Sequence, residues 1–234
     1  MPNRPKDTIA KQLNKAQLAI ANSLADAEIS TAVAAYGYDT AKLNAGMGLY
    51  TTALTAVNAQ AAAKGDQKTA TAEVKAKQKI ARDAYQAAAK VARAALDEEG
   101  LTTLDLTGSE PRDTAGFIQA GYTLFDNAKE SGLLADFGYD TARITAERAK
   151  IADFDAANQA QEAAKGAAQQ ATQEQDAALA AMNDWTAQYL KIAKVALRGK
   201  KQLLEKIGVT ARTTKTAAQR AAARRRAEEG NPPE

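Results

Sequence analysis

Tyr36-Gly37-Tyr38-Asp39-Thr40-Ala41-Lys42 returns 101 residues later as Phe137-Gly138-Tyr139-Asp140-Thr141-Ala142-Arg143. The same offset carries Lys64-Gly65 onto Lys165-Gly166 and Val91-Ala92-Arg93 onto Ile192-Ala193-Lys194, with no insertion between them. Self-similarity of this kind marks one helical unit used twice, because a single amphipathic hairpin cannot bury its own apolar stripe. Working outward, Pro5-Lys6-Asp7-Thr8 resembles Pro111-Arg112-Asp113-Thr114, with Asp or Thr placed to cap a helix that follows. Leu104-Asp105-Leu106-Thr107-Gly108 is answered by Ile207-Gly208-Val209-Thr210-Ala211. The expected organisation is a first repeat unit over 1–107, a second over 108–210 packing on it, and a tail over 211–234.

The composition points to helices. Ala accounts for 58 of the 234 residues, against 4 Phe and 1 Trp, and Ala has the highest helix propensity. Pro2, Pro5, Pro111, Pro232 and Pro233 all fall outside the periodic stretches, where a proline would break a helix. The fold class read from this is all-α.

Apolar spacing suggests how the helices meet. Ile29, Val33, Tyr36, Thr40, Leu43, Met47, Tyr50, Leu54, Val57 and Ala61 alternate steps of four and three, a heptad seam that runs through Gly37. The phase slips after Ala61, and a new seam forms on Val74, Ala81, Ala84, Ala88, Val91 and Ala95. Lys64-Gly65-Asp66 between them reads as a turn, glycine for a left-handed cap and Asp for the next N-cap. In the second unit Leu134, Phe137, Thr141, Ile144, Ile151 and Phe154 form the weaker seam, and Ala178, Met182, Trp185, Tyr189, Ile192 and Ala196 the clearer one. The expected architecture is an antiparallel four-helix bundle with coiled-coil-like heptad seams, built from two tandem helical hairpins. Shorter helices are expected over 7–28 and 113–130. The rival topology keeps Gly65 and Gly166 inside uninterrupted helices, since a lone glycine costs only about 1 kcal/mol relative to Ala. Core positions expected from the seams are Leu43, Met47, Leu54, Val91, Met182, Trp185, Ile192 and Leu197.

Chemistry is sparse. The chain has no Cys and no His, which removes disulfides, thiolate nucleophiles, imidazole bases and the usual zinc sites. Gly199-Lys200 lacks the rest of a phosphate loop. Asp153, Asp155 and Glu162 lie near weakened seam positions without the Glu-x-x-His pattern of di-metal bundles. No catalytic residue, cofactor or metal is expected. The Gly-Tyr-Asp-Thr pair, Tyr38 with Asp39 and Tyr139 with Asp140, is the most pointed local motif, and its repetition argues for packing. The N-terminus lacks a signal-peptide core and no window is apolar enough to span a bilayer, so a cytoplasmic location is expected and no membrane partner.

Charge singles out one segment. The chain carries +3 overall, yet residues 198–226 hold ten Lys or Arg against one Glu. Arg212, Lys215, Arg220, Arg224, Arg225 and Arg226 are the candidate contacts, either to phosphate backbones or to a neighbouring subunit. Repeats, heptads and absent chemistry together suggest a non-enzymatic structural or interaction protein that assembles with itself, a homo-oligomer held by bundle surfaces and this tail. Two alternatives stand beside it: nucleic-acid or polyanion binding through the tail, and an apolar ligand held between helices near Gly37 and Gly138.

Overall fold

The computed structural model describes residues 7–210 and residue 221. The described residues are all-helical, with no strand: α1 (Ile9–Ala25), α2 (Ala27–Ala34), α3 (Thr40–Ala95), α4 (Glu98–Thr103), α5 (Thr114–Ser131), a 3-10 turn (Ala135–Phe137), α6 (Thr141–Ala196) and α7 (Lys201–Lys206). The helices foreseen over 7–28 and 113–130 are present. α1 starts at Thr8, whose hydroxyl accepts from the Lys11 amide, and α5 at Asp113, whose carboxylate accepts from the Gly116 amide.

The hairpins at Gly65 and Gly166 are not formed. α3 and α6 each run for 56 residues straight through these glycines, and neither glycine has a positive φ. The reason lies in the flanks: Ala61-Ala62-Ala63 precedes Gly65 and Ala167-Ala168 follows Gly166, so helix propagation outweighs the cost of about 1 kcal/mol per glycine. The four helices of about 30 residues expected from the hairpins are two long ones, which pack against each other.

Gly37 corrects a second expectation. It does not lie inside a helix; at φ +80° it closes the turn between α2 and α3, and Gly138 at φ +81° does the same before α6. Left-handed backbone of this kind is where glycine avoids a Cβ clash.

The covered face of α3 explains the apparent phase slip. Leu43, Gly46, Tyr50, Ala53, Val57, Gln60, Gln67, Thr71, Val74, Gln78, Ala81, Tyr85, Ala88 and Ala92 are buried or half-buried, one unbroken heptad spacing in which Lys64 is the single exposed member. Gly46, Ala53 and Gln60 face inward where the apolar pattern favoured Met47, Leu54 and Ala61. In α6 the corresponding series runs from Ile144 through Ile151, Phe154, Gln161, Ala168, Gln175, Met182 and Tyr189 to Ala193. Of the expected core, Leu43, Met182 and Leu197 are fully buried. Met47, Val91, Trp185 and Ile192 are half-buried and Leu54 is exposed.

The chain divides into two compact units, one made of the described residues up to Thr55 and from Asp176 on, the other of Ala56–Gln175. This partition differs from the sequence copies, because α3 and α6 each contribute to both units. In the first unit Ala19, Ile29, Val33, Tyr38, Leu43, Tyr189, Ala193, Leu197, Leu203 and Ile207 form the core. α7 is tied to the α1–α2 junction: Asn22 Nδ2 donates to the Lys206 carbonyl at 2.5 Å and Lys206 Nζ meets Asp26 at 2.9 Å. The second unit is built on Tyr85, Leu104, Phe117, Leu124, Phe125, Leu134, Ile144, Ile151 and Phe154. Gly121 lets α5 approach Ile151 so closely that a Cβ there would lie 2.8 Å from the Ile151 side chain. Within this unit the long helices are antiparallel: Gln60 donates to Thr172, Gln161 to Thr71, and Lys77 pairs with Asp153 at 2.7 Å.

Candidate functional site

The Gly-Tyr-Asp-Thr motif folds into the same turn twice. In the first unit the amides of Tyr36 and Tyr38 both donate to the Val33 carbonyl, at 3.0 and 3.1 Å; in the second, Phe137 and Tyr139 donate to Leu134, both at 3.1 Å. Asp39 caps α3 by accepting from the Lys42 amide at 2.8 Å, and Asp140 caps α6 by accepting from the Arg143 amide at 2.7 Å. That carboxylate satisfies a helix donor that would otherwise be unpaired. The cation four residues after each tyrosine then folds back over its ring, Lys42 Nζ 4.1 Å from the Tyr38 centroid and the Arg143 guanidinium 3.9 Å from that of Tyr139. The backbone amides, the Asp carboxylates and the cations of the motif all serve the turn, which makes the tyrosine rings anchors and leaves Tyr36 and Phe137 exposed beside them.

What each turn docks against differs. Tyr38 packs edge-on to Trp185, with ring centroids 5.7 Å apart, and tilted against Tyr189 at 5.1 Å; Trp185 stacks on Tyr189 at 5.3 Å. Trp185 is seated on Gly46, where a Cβ would overlap its ring. The Tyr189 hydroxyl hydrogen-bonds the buried Ser23 hydroxyl, which also donates to the Ala19 carbonyl at 2.7 Å. The Tyr38 hydroxyl is buried with no hydrogen-bond partner among the described residues. Burial pushes the Tyr38 and Tyr189 phenols above their ordinary range, the Ser23 hydrogen bond opposing this at Tyr189.

The carboxylates singled out from the sequence are separately engaged: Asp153 by Lys77, Asp155 by the Tyr122 hydroxyl and Gln159, Glu162 by Lys165. Among the described residues no group of three or more acidic side chains is placed to hold a metal ion. In the first unit a groove of about 610 Å³ opens between α1 and α6, lined by Ile9, Gln12, Lys15, Asp176, Leu179, Asn183 and Thr186. Asn183 Nδ2 donates to Gln12 across it at 2.5 Å.

Of the basic contacts expected in the tail, Arg212, Lys215, Arg220, Arg224, Arg225 and Arg226 lie outside the described residues. Sequence reasoning missed a second basic feature in α3. Lys64, Lys68, Lys75 and Lys79 are all exposed, and their spacing of four, seven and four residues sets them on one stripe of the helix. The signal was available in the positions alone, hidden because the apolar pattern drew a turn at Gly65, between Lys64 and the other three. No described helix is long and apolar enough to cross a membrane. Comparison of the chain with protein-family models, with curated proteins and with solved structures finds no match.

Proposed function

We propose that the protein is a non-enzymatic helical building block that associates with itself, and that a second chain completes the four-helix cross-section that the long helices leave half-built. One observation carries this reading. Between residues 58 and 73 of α3, and between 155 and 178 of α6, there is no apolar side chain larger than Ala, and the buried residues there are Gln60, Ala157, Ala168, Ala171 and Gln175. A helix pair covered so thinly removes little apolar surface from water. At 100° per residue Ala59, Ala63 and Ala70 share one side of α3, away from the lysine stripe. Small side chains on such a face let another helix approach closely. The basic tail supplies a second, electrostatic contact between subunits.

Light scattering on the full chain at low and physiological salt tests this. Self-association gives a mass above the 24.6 kDa of one chain that rises with concentration and falls when Ala63 and Ala70 are both replaced by Glu. Loss of mass on adding salt assigns part of the contact to the tail. A fixed monomer at both salts overturns the reading.

The charge of residues 198–226 favours a second reading, in which the tail binds a polyanion. It predicts affinity that falls steeply with salt and is lost on replacing Arg212, Lys215, Arg220, Arg224, Arg225 and Arg226 by Gln.

A further inference from the structure

We infer that the lysine stripe of α3 is a nucleic-acid backbone site, in which Lys64, Lys68, Lys75 and Lys79 contact phosphates without reading sequence. This rests neither on self-association nor on the tail.

The stripe is a surface feature with a shape. Three shallow depressions adjoin one another along α3. The first, shared with α6, contains Lys64 and Gln67; the second runs from Lys64 through Lys68 to Lys75; the third carries Lys75 and Lys79 on towards Gln86. Lys64 and Gln67 belong to the first two and Lys75 to the last two, so the track is continuous. Gln67 and Gln78 line the same depressions and add amide donors along their edge. Among the described residues Lys64, Lys68 and Lys75 have no carboxylate within ion-pair distance, and Lys79 has only the exposed Asp83, 3.3 Å away.

Geometry fits a sugar–phosphate backbone. The four lysines span about 22 Å at 1.5 Å per residue, and all lie within about 60° of one another around the helix. α6 packs along the flank of the stripe and shares its first depression, so α3 cannot enter a groove as a lone recognition helix would and meets only the phosphates. The stripe has no aromatic side chain, which removes base stacking and leaves charge as the attraction. A second copy of this chain is the rival occupant. It fits less well: on α6, Asp155 and Glu162 are already held by Tyr122 and Lys165, and the chain has no acidic run longer than Asp97-Glu98-Glu99.

The test is fluorescence anisotropy of a labelled random-sequence DNA duplex with the full chain, across a salt series. The comparison protein carries Lys64→Gln, Lys68→Gln, Lys75→Gln and Lys79→Gln together; Gln is a good helix former, and unchanged circular dichroism verifies the fold. The expected result is a loss of affinity of about tenfold or more at low salt, and a slope of log affinity against log salt shallower by about 3 to 4. The same loss in a background with all six tail cations replaced by Gln separates this site from the tail. Equal binding by parent and variant overturns the inference, as does no binding by the parent at low salt. A parent that dimerises without DNA and a variant that does not would assign the stripe to a second copy, and overturn it as well.

Discussion

The two tyrosine turns share their backbone hydrogen bonds and Asp caps, yet the cores beneath them are made of different material. Around Tyr38 the rings are Trp185 and Tyr189, with Ser23 bonded to the latter and Gly46 beneath the former. In the other unit the rings are Tyr85, Phe117 and Phe154, centroids 5.5 and 6.0 Å apart, with the Arg82 guanidinium over Phe117. Backbone turn and heptad spacing therefore leave core chemistry free. One unit relies on hydrocarbon volume, the other on polar aromatics that need a seat and a partner.

The largest expected effect tests the hydrocarbon side. Phe154→Ala removes a fully buried ring and should cost about 3–5 kcal/mol, measured by urea unfolding with circular dichroism. Trp185 is the only tryptophan, so its fluorescence reads the first unit, and a transition that splits between the two probes would show that the units unfold separately.

Next comes the glycine seat. Gly46→Ala gains about 1 kcal/mol of helix propensity but must displace the Trp185 ring, an overpacking cost of about 1–3 kcal/mol. The expected net change in thermal unfolding is destabilising, with altered tryptophan emission. Gly48→Ala, two residues on and facing open space, should stabilise by about 0.5–1 kcal/mol. Equal effects from the two substitutions would break the distinction between a seat and a bystander.

Hydroxyls sharpen the comparison further. Tyr189→Phe removes the bond to Ser23 and should cost about 1 kcal/mol, whereas Tyr38→Phe removes an unpartnered buried hydroxyl and should be neutral or stabilising. Denaturant midpoints of the two variants decide this.

The smallest effect is in alkali. Tyr38, Tyr85, Tyr122 and Tyr189 all have raised pKa values, burial being the main cause. The folded protein thus prefers the neutral phenol, and this contribution is fully present below the unfolded value of about 10 and is lost as pH rises through the folded values. Thermal stability should fall above about pH 10, and Tyr189→Phe should flatten that fall.

Much of this was legible in the residues. Helix content followed from Ala and the placement of proline, and the repeat marked the Gly37 and Gly138 segments as equivalent, although the seam through Gly37 pointed to a helix where the chain turns. The inward face was misread where Gly46, Ala53 and Gln60 occupy it, because a hydrophobicity pattern gives weight to Leu54 beside them. That one-residue error produced a false slip at Ala61 and with it the hairpin. Lys64, the exposed member of the heptad, deepened the illusion by sitting next to Gly65. The aromatic seat could not be foreseen, since nothing in Gly46 and Trp185 as residues 139 positions apart announces their contact.

The division of labour along the chain has a consequence for its assembly. Each core draws α-helices from both halves of the chain: α1, α2, α7 and parts of α3 and α6 in one, α4, α5 and the remaining parts of α3 and α6 in the other. Neither half by itself encodes a whole core, so synthesis on the ribosome cannot finish one before much of the second half has emerged.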